Sequence, residues 1–355
     1  MTIYYSIYVI LGITSLICGY FEMKENSVKK TIGFVMFNCL FLMLAFRHPS
    51  MGHDLKYLTK IGYLGRFEYI ATVDWDNIFD ISVQHYEKGY IVFNKLVSLL
   101  STDRQFFMGA CAFLSLLPII YVICKKSVAP IQSLIIYMGL PVFLIIYSGL
   151  RQALAIGICF LSILFIQDKK LVKFVLLVLL ASTLHKSSII FLCAYPLYNL
   201  KMTQSWRWVS VVTIPIVYIL RYPLFAIFSK IFKDNAETKD TGAITLFLVF
   251  TLVYIFCIIY SDESNEQNGL RNLFFMACLC QAFSGVYNLA MRVGYYFMIP
   301  LALLLPLIIK GMDEKIDKPI FSIIITICFA TFALYCIKGS TWAGAYPYYF
   351  FWEEV

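Results

Sequence analysis

A chain of 355 residues that is 61% hydrophobic and only 14% charged, with a mean hydropathy of +0.78, is far too apolar for a soluble domain, in which about a quarter of residues are charged. Its net charge of +8 would suggest nucleic acid in a soluble protein, but here the basic residues sit at the ends of apolar runs. That pattern reads as membrane topology and leaves the bilayer, not nucleic acid, as the expected partner.

The expected fold class is all-α: a polytopic transmembrane helical bundle forming a single integral membrane domain over residues 1–355. A hydrocarbon core of about 30 Å needs about 20 apolar residues per helix. Apolar runs predict about twelve spans, at Ile3–Phe21, Thr31–Phe46, Gln105–Ile123, Ile131–Tyr147, Ala153–Gln167, Leu171–Leu184, Ser188–Leu200, Trp208–Tyr222, Ala243–Tyr260, Asn272–Val286, Val293–Ile309 and Ile320–Ile337. The first has no basic leader and no small-residue cleavage site, so it is expected to be a span and not a signal peptide. Residues 47–104 are too polar to span and form the largest connection, expected to be external and to hold a re-entrant or interfacial helix around Tyr90–Leu100. Residues 229–241 are a second external loop. The stretch Trp342–Trp352 is dense in Trp, Tyr and Phe, with interfacial anchoring as its expected role and sugar stacking as the alternative. The cysteines lack zinc-type spacing and read as packing residues, so no metal site and no cofactor are expected.

Charge alternates between the short loops. Lys24, Lys29 and Lys30, then Lys125 and Lys126, Lys169, Lys170 and Lys173, Lys201 and Arg207, Arg271, and Lys310, Lys315 and Lys318 fall on one side. That side is expected to be cytoplasmic and both termini external.

Span lengths single out three places. Leu171–Leu200 would be about 45 Å long as one helix, so it must fold back near His185, Lys186 and Ser187, with Ser187 or Ser188 capping the return leg. At Tyr147–Gln152 two apolar stretches meet almost without a loop; Gly149 permits the turn, and Arg151 opens the next helix. A cation among free helix-start amides opposes the macrodipole unless an anion is present, so Arg151 predicts one. The run Asn272–Ile309 is also too long for one span, and its turn is expected near Arg292. Together with Arg47, Asp54 and Glu87, these residues form a set of costly polar groups on one side of the membrane.

The motifs Tyr147-Ser148-Gly149-Leu150-Arg151-Gln152-Ala153-Leu154-Ala155 and Ala181-Ser182-Thr183-Leu184-His185-Lys186-Ser187-Ser188 closely resemble the EpsG-like branch of Wzy-type polysaccharide polymerases. Phe46-Arg47, Gly52-His53-Asp54-Leu55-Lys56-Tyr57 and Tyr86-Glu87-Lys88-Gly89-Tyr90 also fit that family, and the resemblance covers roughly the first 200 residues. It implies a GT-C-like membrane glycosyltransferase of the bacterial inner or plasma membrane. The activity it implies is transfer of a glycan from one undecaprenyl-diphosphate carrier to the sugar of a second lipid-linked repeat unit, on the external or periplasmic face and without a metal. The products would be O-antigen of lipopolysaccharide, capsule or exopolysaccharide, and a flippase and a chain-length regulator of the same pathway would be the protein partners. An Arg-x10-Gly loop pattern described for some relatives is absent here.

On this reading Arg151, Arg292 and Arg47 are the diphosphate-binding candidates, because guanidinium stays charged when partly buried and grips phosphate bidentately. An internal ion pair is the alternative for Arg151 and Arg292, and interfacial anchoring for Arg47. His185, Asp54 and Glu87 compete as the base that takes the acceptor proton. Gln152, Lys186, Tyr57 and Tyr147 are candidate substrate contacts. An O-antigen ligase would use the same chemistry with another acceptor; a lipid-linked oligosaccharide flippase would need charges reachable from both sides.

Overall fold

The computed structural model describes residues 1–20, 25–55, 62–79, 86–232 and 244–355, so Tyr57 and the 233–241 part of the second expected loop lie outside the described residues. The helices are α1 Thr2–Tyr20, α2 Glu25–Ala45, α3 Tyr63–Thr72, α4 Lys88–Ser98, α5 Arg104–Lys126, α6 Pro130–Gly139, α7 Pro141–Ser148, α8 Leu150–Gln167 and α9 Leu171–Leu184. They continue with α10 Ala194–Asn199, α11 Gln204–Ile219, α12 Arg221–Phe232, α13 Ile244–Tyr260, α14 Asn265–Ala282, α15 Asn288–Met298, α16 Leu301–Lys310 and α17 Asp317–Gly339. Among the described residues five helices are long and apolar enough to cross a membrane, and up to seven if each of two bent pairs counts as one span. The expected twelve spans thus meet the criterion of length and apolarity at five to seven places; Thr2–Cys18, Leu171–Leu184 and Ile244–Tyr260 are apolar but shorter.

Local chemistry explains the helix ends. Asp103 caps α5 by accepting the Phe106 N–H, and Lys125 and Lys126 complement the dipole at its other end. Ser264 and Thr203 cap α14 and α11 in the same way. Pro141 cannot donate an N–H and pushes Leu140 to an extended φ of −86° and ψ of 142°, so α6 and α7 meet at 69° inside one apolar run. The helices at the centre are those around the α15–α16 and α8 windows, 83% and 72% buried, whereas those of α2 and α17 are 33% and 22% buried and turn apolar faces outward.

The fold-back at His185 occurs, but its return leg is not the α-helix expected. His185 is extended (φ −152°, ψ 111°), Lys186–Cys193 is a 3₁₀ helix, and only Ala194–Asn199 is α-helical. At about 2 Å per residue the 3₁₀ stretch lets a short return leg reach further than an α-helix would. Neither serine caps it: Ser187 Oγ lies 3.2 Å from the Tyr296 hydroxyl, and Ser188 Oγ is buried without a partner. Gly149 keeps a negative φ of −96°, so the turn there does not need glycine's left-handed region; a Cβ would instead crowd Ile145 Cδ1 at 2.8 Å. The break in the Asn272–Ile309 run falls earlier than expected, at 283–287, which leaves Arg292 in the second turn of α15. Arg271, read as a loop residue, is fully buried in α14, where Ser261 and Asn268 accept its N–H groups.

The helix ends sort into two sets. Lys29, Lys126, Lys310 and Lys318 surround one cavity of about 730 Å³, and Lys126, Lys169 and Lys201 another of about 450 Å³. The far ends of the same helices carry the end of α2, the start of α5 with its Arg104–Glu68 ion pair to α3, the α7–α8 junction and His185. Helices α3 and α4, both from the 47–104 segment, pack together at that second end.

The C-terminal segment does more than present aromatic rings to an interface. Arg47 and Phe350 form an antiparallel bridge, His48 N donates to Tyr349 O (2.8 Å), Phe351 N to Phe46 O (2.9 Å) and Gly52 N to Gly344 O (3.1 Å). Gly52 (φ 102°) and Gly344 (φ 60°) both need the left-handed region, and Cβ atoms there would meet the Tyr147 carbonyl and Gly52 N respectively. Gly52→Ala and Gly344→Ala should each destabilise the protein by about 1–3 kcal/mol or more. Gly12, with open space around it, should accept alanine without loss. Thermal unfolding in detergent checks this, and equal melting of all three variants would contradict it.

Candidate functional site

A cavity of about 340 Å³ opens among the ends of α7, α9 and α17, the starts of α8 and α15, and the turn after α2. Asp54, Arg151, Gln152, His185 and Arg292 line it, together with His53, Tyr63, Ser148, Tyr295 and Trp342. Five of the residues singled out in the sequence therefore share one pocket.

Two of its lining residues, Arg151 and His185, are held from behind by Glu87. Arg151, the second residue of α8, donates from Nη1 to Glu87 Oε2 at 2.6 Å, and the N–H of Lys186 donates to Oε1 at 2.8 Å. His185 Nδ1 lies 3.5 Å from the same Oε1, at the outer limit of a hydrogen bond. The three side chains are only 14–18% exposed. The sequence argument that Arg151 requires an anion is thus answered within the chain. Tyr63 accepts from Arg151 Nε at 3.3 Å, and the Tyr86 ring lies 4.4 Å from the guanidinium. Gly89 makes this contact possible: any Cβ there would collide with Thr183 on α9, so α4 can approach only as glycine.

Glu87 lies in the 47–104 segment, outside the apolar helices. Burial pushes its carboxyl up, but the His185 imidazole, the Lys186 N–H and the Arg151 charge outweigh burial and bring its pKa down to about 2. A carboxylate held so acidic and already engaged three ways is poorly suited to accept a proton.

Arg292 contrasts with Arg151. Its side chain is exposed and has no hydrogen bond or ion pair among the described residues, while its carbonyl accepts from Gln152 Nε2 at 2.7 Å. Asp54 also faces the pocket: its carboxylate is half-exposed, 3.8 Å from His53 Nδ1, and its N–H donates to Ser148 Oγ at 3.1 Å.

The other sequence-derived residues lie elsewhere. Arg47 is 1% exposed and sits behind the pocket wall, with both Nη atoms donating to Ile146 O at 3.2 Å and its guanidinium 5.0 Å from the Tyr147 ring. It caps the carbonyl end of α7, where the helix dipole favours a cation, which accounts for a buried charge without a carboxylate. Tyr147 is buried beside it, its hydroxyl 3.2 Å from that of Tyr4. Glu87 and Lys186 do not line the pocket; the Lys186 side chain is exposed in a separate groove with Ser182, Thr183 and Ile189.

Tyr63, Tyr295 and Trp342 escaped the sequence reading. Tyr295 is fully buried, lines the pocket, and has a hydroxyl without a partner among the described residues. It follows Arg292 by three residues, so the helical repeat places both on one face, a signal present in the sequence. Trp342 reaches the pocket from the C-terminal turn, which no local pattern announces.

The Glu87 shift has a pH consequence. A carboxyl with a folded-state pKa near 2 and an ordinary value of 4.5 stabilises the fold fully above pH 4.5 and loses that contribution as pH falls toward 2. Glu87→Gln should therefore melt well below the parent chain at pH 7, and the gap should narrow below about pH 4.5. Melting curves in detergent across that range test it; a gap that stays constant with pH would rule it out.

No curated protein and no solved structure matches this chain. The model of one family does, over residues 30–350, nearly the whole length. The chain belongs to the EpsG family of Wzy-like polysaccharide polymerases, as a multi-pass membrane protein.

Proposed function

We propose that the protein is a polysaccharide polymerase that transfers a glycan from an undecaprenyl-diphosphate donor to the sugar of a second lipid-linked repeat unit, with the pocket facing the exterior or periplasm. One observation carries this reading: two arginines, an imidazole and an unpartnered buried hydroxyl converge on a single cavity, at the helix ends opposite the lysine-rich ends, in a chain of the EpsG family. The lysine-rich ends read as cytoplasmic by the positive-inside rule. The same proposal includes about twelve membrane crossings in one domain over residues 1–355, a GT-C-like architecture, and residues 47–104 and 229–241 as external loops.

In the proposed reaction the acceptor hydroxyl oxygen attacks the anomeric carbon, the bond from that carbon to the diphosphate oxygen breaks, and the lipid diphosphate departs as the anion. The anomeric centre inverts, and a single base suffices because no covalent enzyme intermediate forms. Arg292 is the principal diphosphate ligand because its guanidinium has no competing partner among the described residues, and Arg151 is the second. Tyr295 supplies a further donor to the same oxygens from a site where its hydroxyl is otherwise unpaired. His185 takes the hydroxyl proton, and Glu87 orients its ring. Gln152 fixes the Arg292 backbone.

Complementation of a deletion strain tests the assignments. Arg292→Ala and His185→Ala, expressed at parental levels, should each slow chain extension by about 100-fold or more and collapse the glycan ladder toward single repeats. Arg292→Lys should recover only part of the activity because it loses the bidentate fork. A full ladder from both alanine variants would refute the site, and loss of every lipid-linked product beyond the cytoplasmic face would favour a flippase. Cysteines placed at 186 and 293 should react with an impermeant reagent from outside; reaction only from the cytoplasm would overturn the orientation.

A further inference from the structure

We infer that the C-terminal turn completes the pocket with a carbohydrate subsite, in which Trp342 supports the apolar face of a sugar ring and Asp54 accepts hydrogen bonds from its hydroxyls. The inference rests on the polymerase reading and names the wall that holds the acceptor glycan.

Trp342 lies just beyond α17, in a turn closed by the Ala343 N–H on Ser340 O. It lines the cavity, is 36% exposed, and makes no ring contact with another aromatic residue among the described residues. The neighbouring rings behave differently: Trp352 stacks on Phe350 and meets Phe351 edge-on, and Phe351 and Trp352 both lie tilted against Phe46. Those rings are occupied with one another, while Trp342 lines the cavity.

Its position relative to Asp54 is fixed by the backbone. Gly344 O accepts from Gly52 N, and Gly344 sits so close to Gly52 and His53 that a Cβ would come within 2.8 Å of Gly52 N and 3.2 Å of His53 N. Ser148 Oγ holds the Asp54 N–H from the other side. One wall of the pocket thus carries an indole and a half-exposed carboxylate. The helical starts of α8 and α15 supply Arg151 and Arg292.

Electrostatics assigns the two regions. A diphosphate is drawn to the arginines and repelled by Asp54, whereas a carboxylate suits neutral hydroxyls, which donate to it. A pyranose has one face of C–H groups that stacks on an indole and a rim of hydroxyls that reach a carboxylate beside it. The substrate is itself divided into sugar and diphosphate, and on this inference Trp342 and Asp54 take the first while the arginines take the second.

The test uses the full-length protein in detergent or nanodiscs and lipid-linked repeat units extracted from the deletion strain. Trp342→Ala should raise the apparent KM about tenfold while kcat at saturating substrate changes by no more than about twofold, the pattern of lost substrate binding. Asp54→Asn should move KM in the same direction. Trp342→Phe should stay within about threefold of the parent, and Trp342→Leu should not, because leucine fills space without offering a flat ring. Should the alanine variant fail to fold, the Phe and Leu pair decides alone. Equal behaviour of Phe and Leu, or a loss confined to kcat, would overturn the subsite. Inability of the parent chain to extend any glycan would instead refute the polymerase reading, which separates the two failures.

Discussion

The arrangement of the pocket depends on one carboxylate. Glu87 binds the guanidinium of Arg151 on α8 and the amide of Lys186 beyond α9, and lies 3.5 Å from the His185 imidazole, so a single side chain ties α8, the start of α4 and the turn after α9 together. Such a group is stable when buried because a cation and a backbone N–H hold its two oxygens; removing one partner of a buried pair typically costs about 3–5 kcal/mol through the charge left behind. The constraint reaches back to Gly89, since α4 can bring Glu87 to this junction only if nothing stands between it and Thr183. The spacing of Glu87 and Gly89 in the sequence thus has a mechanical reason: one residue makes the contact and the other allows the approach.

A second closure joins the two ends of the chain. Residues 46–52 and 344–351 pair through backbone hydrogen bonds, with Tyr4 donating to Ala345 O and Tyr348 to Met43 O. Contacts between residues so distant in sequence are entropically costly to form and repay that cost only once the helices between them have packed. Arg47 stands at the centre of this closure, capping α7 while its own carbonyl accepts from Gln105. It is buried there and does not line the pocket.

How far the sequence could be read follows from which forces are local. Hydropathy and span length are properties of short windows, and they located the folds at Gly149 and His185 because a run too long for the bilayer must turn back. They misplaced the turn near Arg292, since α15 starts at Asn288 and carries the arginine within a helix, where a cation on a cavity-facing side needs no loop. Arg47 illustrates the opposite difficulty: a terminal arginine looks the same in sequence whether it meets a phosphate or the carbonyl end of a helix nearly a hundred residues later. The left-handed glycines at 52 and 344 owe their role to each other, and no window contains both. Tyr295 was legible in principle, three residues from Arg292, but its significance lies in a missing partner, which only the packed structure reveals.

On the proposed reading the shared carboxylate also couples the two halves of the chemistry. As the acceptor proton reaches His185, the imidazolium that forms lies 3.5 Å from Glu87 Oε1 and competes for the negative charge that Arg151 holds through Oε2. Attraction between Glu87 and Arg151 is weakened at the moment when negative charge builds on the departing diphosphate, so the guanidinium is more available to the leaving group in the transition state than in the resting pocket. An interaction that strengthens only as charge develops is the kind that accelerates a reaction, whereas one made equally to the bound substrate would merely tighten binding. On that reading Arg292, which has no hydrogen bond or ion pair among the described residues, holds the donor diphosphate from binding through to departure. On the proposed reading the two arginines then differ in when they meet the diphosphate, because Arg151 is paired with Glu87 in the resting pocket.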